Sequence, residues 1–324
     1  MASFEWLDPE SVAEALKEIG PSALPKAGGI DLMDRLKEGL EAPTRIVNLR
    51  RIRGLDHVRD TGAQMEIGAL VTLAHLAADP VVRSRLPALA EAALRAATPN
   101  VRNVATVGGN LLQRPRCWYF RREAFPCLRK GGDTCFAQDG RNAYHAVFEN
   151  DVCAVVHPSD TAVALVAYGA RAAVAGQDGT REVLLEELFV PTHEDVTREH
   201  RLGEDELLVA LHVPAPGEHA RSAYLKLGER DSADWPLASA AVVLEVAGDV
   251  CRRASVVLGA AAAVPWRARE AEAVLMGGRF DTGRVADAAA AAVKGATPLR
   301  ENGYKVKLLE VITRRALLAA GGLS

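Results

Sequence analysis

The stretch AGGIDL, residues 27–32, and the stretch TVGGNL, residues 106–111, each carry a twin glycine in a loop-to-helix setting. Glycine accepts a positive φ and lets a ligand approach the backbone closely, and successive N–H groups in such turns form concave anion sites. Neither stretch has the GxGxxG pattern of a Rossmann fold, and the chain has no GxxxxGK[ST] phosphate loop. Each twin glycine alone predicts an ordinary turn, whereas the two together favour a diphosphate site on a fold other than these two.

Composition and charge narrow the class of protein. The 324 residues are 49% hydrophobic and 25% charged, and the net charge is −3, which is typical of a globular protein and argues against a dedicated nucleic-acid binder. No apolar run approaches the roughly 20 residues that span a bilayer. The N-terminus lacks the basic and apolar regions of a secretory signal. We expect a cytoplasmic protein without a membrane span, unless the export signal of a partner carries the complex to the periplasm.

Periodic patterns predict both strands and helices. The segments RIVNLR (residues 45–50) and MEIGAL (65–70) predict strands, whereas residues 75–97 predict helices broken at two prolines. Asp8 is predicted as the N-cap of the first helix. Residues 161–176, TAVALVAYGARAAVAG, predict a helix followed by a strand.

Four of the five cysteines fall in one short window. The stretch RCWYFRREAFPCLRKGGDTC, residues 116–135, holds three of them, and Cys153 follows at a spacing of C-x9-C-x7-C-x17-C. Zinc ribbons use closely spaced cysteine pairs, so these gaps argue against structural zinc. An odd cysteine count without a secretory signal also argues against a disulfide framework. Spacing alone leaves two interpretations open, an iron-sulfur cluster and free buried cysteines.

Four segments in order resemble the flavoprotein subunit of molybdenum-containing hydroxylases, the xanthine dehydrogenase and carbon monoxide dehydrogenase group. The family's FAD segments usually run AGGTDL and TVGGN, and HPSD (residues 157–160) and YLKLGERDSADWPLASAA (224–241) resemble its later motifs. The resemblance covers essentially the entire chain. It implies an α+β protein with a two-lobed FAD-binding domain of the vanillyl-alcohol-oxidase-like (PCMH) type. A C-terminal α+β domain resembling that of the CO dehydrogenase flavoprotein follows.

The domain limits follow from the resemblance and from a composition shift at PAPGEHA, residues 214–220. The expected units are a FAD-binding domain at 1–215, its lobes at about 1–58 and 59–215, an iron-sulfur insertion at about 114–153, and a C-terminal flavoprotein domain at 220–324.

The resemblance also implies the residues that bind FAD. They are Lys26, Ala27, Gly28, Gly29, Ile30, Asp31, Leu32, Thr106, Gly109, Asn110, Gln113, Asp160, Leu207 and Lys226. Ile30 departs from the family's threonine, which removes one hydroxyl but leaves the backbone contacts. Asp160 is expected at the flavin or ribityl end, with a helix N-cap as the alternative. Lys226 is expected to place a cation near the isoalloxazine, with a solvated strand lysine as the alternative.

A subset of the family carries an additional [4Fe-4S] cluster in an insertion, including 4-hydroxybenzoyl-CoA reductase flavoproteins and bacterial aldehyde oxidoreductases. The cysteine window resembles the aldehyde oxidoreductase version, which implies Cys117, Cys127, Cys135 and Cys153 as ligands and leaves Cys251 as a spare thiol. Five basic residues of the window either offset the charge of the cluster or solvate a surface loop, and these are Arg116, Arg121, Arg122, Arg129 and Lys130.

The resemblance implies an electron-transfer subunit of a heterotrimer. A large molybdenum-cofactor subunit would transform the substrate, a small subunit would carry two [2Fe-2S] clusters, and FAD here would exchange electrons with an external acceptor. No catalytic triad, HExxH motif or paired acid is found, so no catalytic residue is assigned. We expect an FAD-dependent oxidoreductase subunit of an aldehyde oxidoreductase. The alternatives are a 4-hydroxybenzoyl-CoA reductase-like or xanthine dehydrogenase-like complex, a stand-alone FAD oxidase and a zinc-stabilised binding module.

Overall fold

A computed structural model describes residues 3–230 and 233–323 of the chain. Five residues of the predicted domains lie outside the described residues, namely 1, 2, 231, 232 and 324. Two of them, 231 and 232, belong to the segment YLKLGERDSADWPLASAA. The described part contains three β-sheets accompanied by helices. This mixture confirms the predicted α+β class.

The first lobe is a small parallel sheet with two helices. Its elements are β1 (Glu5–Leu7), α1 (Val12–Glu18), β2 (Ala23–Lys26), α2 (Ile30–Lys37) and β3 (Arg45–Asn48), followed by a 3₁₀ turn at Leu49–Arg51. Strand β3 lies between β1 and β2 and runs parallel to both. The predicted N-cap was wrong, because the Ser11 side chain caps α1 by accepting from the Glu14 amide. Asp8 instead accepts a 2.6 Å hydrogen bond from the Asn48 side chain.

The second lobe is an antiparallel sheet covered by short helices. Its elements are β4 (Val58–Asp60), β5 (Gln64–Gly68), α3 (Leu73–Ala78), α4 (Pro80–Arg85), α5 (Pro87–Arg95), α6 (Pro99–Arg102), α7 (Val107–Leu111), α8 (Asp160–Ala167), β6 (Arg171–Gly176), β7 (Gly179–Leu184), α9 (Leu185–Leu188) and β8 (Leu207–Pro214). The strand order is β4-β5-β8-β6-β7. Proline at the first position of α4, α5 and α6 separates these helices, since proline lacks the N–H needed in a helix interior. The predicted strands at 45–50 and 65–70, and the helix and strand within 161–176, are confirmed.

The C-terminal domain is an antiparallel sheet packed against helices. Its elements are β9 (Ala220–Leu227), β10 (Ala238–Ala247), β11 (Val250–Gly259), β12 (Trp266–Arg267), α10 (Arg269–Leu275), α11 (Thr282–Ala292) and α12 (Tyr304–Gly321), with the strand order β12-β11-β10-β9. Leu309 and Ile312 of α12 share a buried apolar cluster with Val242 and Leu244 of β10. Among the described residues, none of the helices combines the length and apolarity of a membrane span.

A long segment, residues 112–159, joins α7 to α8 and contains only one 3₁₀ turn, Leu128–Lys130. The C-terminal domain holds it through Lys305, which is completely buried. The ammonium group of Lys305 donates to the carbonyl oxygens of Ala260 (2.7 Å), His145 (2.8 Å) and Tyr144 (3.3 Å). Three acceptors match the three N–H bonds of an ammonium group, so this contact fixes the segment to the domain.

Replacing Lys305 should weaken the fold. Lys305→Met leaves three carbonyl oxygens without their donor, and we expect the free energy of unfolding to fall by about 3 kcal/mol. Lys307→Met is the matched control, because Lys307 is exposed and pairs only with Glu310 of the same helix among the described contacts. Thermal unfolding of both purified variants measures the difference, and equal melting temperatures would contradict the anchoring role.

Candidate functional site

A cavity of about 940 Å³ lies where the two lobes meet the C-terminal domain. It is lined by residues of all three units, among them Gly28 of the first lobe, Thr106 and Leu207 of the second, and Trp235 of the C-terminal domain. The volume falls in the upper part of the range for ligand sites, roughly 300–1,000 Å³. All residues predicted to bind FAD line this cavity except Lys226. The tertiary structure thus brings together segments that are far apart in sequence, and these segments form the wall of one cavity.

The first glycine turn is shaped for close backbone contact. Gly29 has a φ of 84° and directly precedes α2, a conformation that side chains other than glycine rarely adopt. A Cβ on Gly28 would stand 2.3 Å from the carbonyl oxygen of Val104. Only glycine therefore lets this turn pack against Val104 and Ala105, which lead into the second glycine turn. The α2 N-terminus, whose first amides lack helical partners, favours a phosphate group. This geometry fits a flavin diphosphate.

The second glycine turn is the start of a helix. The Thr106 hydroxyl accepts from the Gly109 amide at 3.2 Å and thereby caps α7. The side-chain oxygen of Asn110 accepts from the hydroxyls of Ser159 and Thr161, both at 2.6 Å. These bonds tie α7 to the start of α8. Because that oxygen already has two donors, contact between Asn110 and a ligand must use its other atoms.

Asp160 and Lys226 form a buried ion pair that joins the two domains. The Lys226 ammonium lies 2.8 Å from one oxygen of Asp160, and the Tyr224 hydroxyl donates to the other at 2.5 Å. Burial raises the pKa of Asp160, while the charge of Lys226 and both hydrogen bonds oppose that rise. Lys226 also donates to the carbonyl of Arg95. Its ammonium is therefore engaged by protein groups, whereas Asp160 itself lines the cavity.

Several residues at this site were missed in the sequence, among them Tyr224 and Trp235. Tyr224 is two positions before Lys226 on β9, and residues two apart on a strand share a face, so the Tyr-x-Lys spacing was the available signal. Trp235 lines the cavity, and its ring lies 4.7 Å from the guanidinium of Arg116, an arrangement typical of cation–π contacts. No local pattern distinguishes Trp235, because its partner is distant in sequence.

Asp31 connects the flavin turn to the cysteine segment. Its carboxylate pairs with Arg121 at 2.6 Å, Arg116 at 3.0 Å and Arg35 at 3.1 Å, and it accepts from the backbone amide of Arg114 at 3.1 Å. Burial alone would raise the pKa of Asp31, but the three guanidinium groups outweigh it and lower the pKa. Two of the basic residues in the window, Arg116 and Arg121, therefore bind an acid on α2.

The four clustered cysteines surround a second, much smaller cavity. It is lined by four free thiols, those of Cys117, Cys127, Cys135 and Cys153. Its volume of about 10 Å³ has room for roughly one water molecule. Among the described residues, no group of three or more His, Cys, Asp or Glu side chains is arranged to hold a metal ion. Cys251 lies in the core of the C-terminal domain, away from this group.

The thiols differ in acidity. A hydrogen bond between Cys135 and Cys153 lowers the pKa of Cys135 to about 6 and raises that of Cys153. Burial raises the pKa of Cys117 to about 11. The Nε2 atom of His145 lies 3.3 Å from the sulfur of Cys117. Interactions among the thiols show that the window brings its cysteines into one group.

The packing of Gly28 generates a prediction for FAD binding. Gly28→Ala forces the turn away from Val104, and strain of roughly 1–3 kcal/mol should weaken FAD binding about tenfold. Gly303→Ala is the control, because a Cβ there meets nothing within 4 Å and its backbone is helical. The measurement is the dissociation constant of FAD from each purified variant, and equal affinities would exclude a tight fit at Gly28.

Comparisons with known proteins agree with this geometry. Residues 2–216 match the family model for the FAD binding domain in molybdopterin dehydrogenase, and residues 223–320 match the CO dehydrogenase flavoprotein C-terminal domain. Among solved structures, a Cu,Mo-CO dehydrogenase in a cyanide-inactivated form has a chain with a TM-score of 0.79 and 27% identity, and the match covers 99% of this chain and 98% of that one.

Two curated relatives align over most of their length. The aldehyde oxidoreductase FAD-binding subunit PaoB of Escherichia coli is 36% identical over 89% of this chain and 88% of its own length. The carbon monoxide dehydrogenase medium chain of Hydrogenophaga pseudoflava is 30% identical over 98% of this chain and 96% of its own. The resemblance stated from the motifs is confirmed. The chain belongs to the family of FAD-binding electron-transfer subunits of molybdenum hydroxylases.

Proposed function

We propose that this chain is the flavin subunit of an aldehyde-oxidising molybdenum hydroxylase and that its cysteine segment holds a [4Fe-4S] cluster. The aldehyde assignment is supported by the relative PaoB, which is named as an aldehyde oxidoreductase subunit, and by the likeness of the cysteine window to that group. One relative with a different substrate, the nicotinate dehydrogenase FAD-subunit of Eubacterium barkeri, is less similar at 26% identity.

The observation that carries the proposal is the closeness of the two cavities. Glu199 lines the large cavity, and it pairs at 2.8 Å with Arg129, which lines the cavity among the cysteines. One buried ion pair therefore spans the wall between them. The sites proposed for the flavin and the cluster are thus bridged by one pair of side chains.

The residues of the large cavity suit FAD in type and position. The two glycine turns would receive the diphosphate, with the cations of Lys26 and Arg35 lining the same wall. The buried pair of Asp160 and Lys226 would hold the second lobe and the C-terminal domain closed around the cofactor. When bound, FAD supplies the exchange of electron pairs and single electrons between cluster carriers and an external acceptor.

The cysteine cavity fits a four-iron cluster in its donor set. Four thiols converge, and two buried nitrogen atoms, Nε of Arg129 and Nδ1 of His145, have no hydrogen-bond partner there. The sulfur atoms lie close together, because Cys135 and Cys153 are hydrogen-bonded and the space among the four cysteines holds about one water molecule. The present space is small, so the segment must open as the cluster is inserted.

The proposed partners follow from the relatives. The carbon monoxide dehydrogenase relatives are medium chains, and we infer a large molybdenum-cofactor subunit and a small subunit with two [2Fe-2S] clusters as partners. Substrate chemistry would occur on the large subunit. Our assignment of the complex to the cytoplasm rests on the sequence alone, and an export signal on a partner would place it in the periplasm.

Reduction of the flavin by substrate tests the function. In the co-purified complex, an aldehyde should bleach the flavin absorbance, whereas the isolated chain should leave its flavin oxidised. Bleaching in the isolated chain would favour a stand-alone oxidase. A colourless preparation with stoichiometric zinc would instead favour a binding module. Reduction by xanthine or by a 4-hydroxybenzoyl-CoA couple, and not by aldehydes, would assign the complex to one of the alternative substrate classes.

Replacing one thiol tests the cluster. Cys127→Ser should lose the electron paramagnetic resonance signal of the four-iron cluster and keep FAD, because Cys127 lines only the smaller cavity. Cys251→Ser should retain both, since Cys251 is a buried thiol of the C-terminal domain. Iron, sulfide and flavin analysis of the complex gives the measurement. Unchanged iron content in Cys127→Ser would refute the ligand assignment.

A further inference from the structure

Arg129 is a buried cation placed between two cysteines of the window. It lies in the 3₁₀ turn Leu128–Lys130, directly after Cys127, and its side chain is only 2% exposed. An arginine is buried to this degree only when other groups compensate its charge. The groups around Arg129 therefore indicate which negative charges its guanidinium stabilises.

The guanidinium of Arg129 is shared between an acid and the cysteine cavity. Its Nη1 atom donates to Glu199 at 2.8 Å and to the carbonyl of Arg198 at 3.3 Å. Its Nε atom is buried without any hydrogen-bond partner. Burial alone would lower the pKa of Arg129, but the charge of Glu199 and the contact with Cys153 raise it. The guanidinium is thus paired with Glu199 and also contacts the thiol of Cys153.

Glu199 is the balancing charge, and it belongs to both sites. It lines the large cavity, and its Oε1 atom accepts from Arg114 at 3.1 Å as well as from Arg129. Its side chain is 14% exposed. A change of charge at Glu199 should therefore be felt at the cysteine cavity through a guanidinium that solvent does not screen.

The other basic residues of the window face elsewhere. Arg116 and Arg121 pair with Asp31, Lys130 donates to the carbonyls of Tyr119 and Arg122, and Arg122 is exposed. Of the five basic residues of the window, all within the described part of the chain, Arg129 alone lines the cysteine cavity. Arg129 is therefore the basic residue of the window that directly borders the cysteine cavity.

We propose that Arg129 sets the reduction potential of the cluster bound by the four cysteines, and that Glu199 moderates this effect. The proposal rests on the cluster proposed above. Four thiolates give the cluster a negative charge, and one added electron makes that charge more negative without forming or breaking a bond. A fixed cation and an N–H donor beside the sulfur atoms stabilise the reduced state more than the oxidised one, and a buried position strengthens the effect.

Redox titration of the cluster in the intact complex tests the role of Arg129. The reductant is dithionite, and the readout is the electron paramagnetic resonance signal of the reduced cluster at fixed potentials. Arg129→Gln should raise the ratio of oxidised to reduced cluster about tenfold, which corresponds to a midpoint potential lower by about 59 mV for one electron. Arg129→Lys keeps the charge and should shift the ratio less.

Glu199→Gln should shift the ratio in the opposite direction, because it removes the anion that offsets Arg129. Arg122→Gln is the control, an exposed cation of the same segment, and it should change the ratio less than twofold. A merely structural role for Arg129 would not produce opposite shifts from the two partners of one ion pair.

The outcomes separate this proposal from the cluster assignment. A wild-type complex without iron and sulfide in this subunit refutes the cluster itself. A full complement of iron with the same ratio in Arg129→Gln and Arg122→Gln overturns the role of Arg129. If Arg129→Gln fails to retain iron, Glu199→Gln decides the question, and an unchanged or lowered potential in that variant overturns the proposal.

Discussion

The carboxylate of Asp31 is the point on which the two sites depend. It lies two residues after Gly29, so its position is set by the same backbone that shapes the large cavity. Four donors from Arg35, Arg114, Arg116 and Arg121 converge on it. A partly buried carboxylate with three guanidinium groups and one backbone amide as donors is well compensated, and breaking such a group would leave buried charges unpaired. The cysteine segment is consequently aligned with the flavin turn.

The cysteine segment depends on polar anchors because it has little core of its own. Tyr119, Ala137 and Ala154 form its small buried cluster, and ordering a long segment on so few apolar contacts is entropically costly. Each structural unit supplies at least one anchor. The first lobe contributes Asp31, the second contributes Glu199, and the C-terminal domain contributes Lys305. The window is thereby held by all three units at once.

The distribution of charge gives the arginines different tasks. The sequence left two uses for them open, charge compensation of a cluster and solvation of a loop. Arg116 and Arg121 do neither, since they join the segment to α2. Arg122 is exposed, as a solvating residue should be, and Arg129 is directed to the cysteine cavity. Identical residue types in one short window therefore act in three ways, according to which acid or solvent each meets.

The sequence by itself determined the features that depend on local chemistry. The glycine turns, the helix breaks at Pro80 and Pro87 and the thiol group of the window are local, because backbone freedom, a missing N–H and side-chain type belong to the residue itself. Only the tertiary structure decided that the Lys226 ammonium meets Asp160, 66 positions away, and that Arg129 meets Glu199, 70 positions away. A charged side chain takes its function from its partner, and folding, not sequence spacing, chooses partners at that distance.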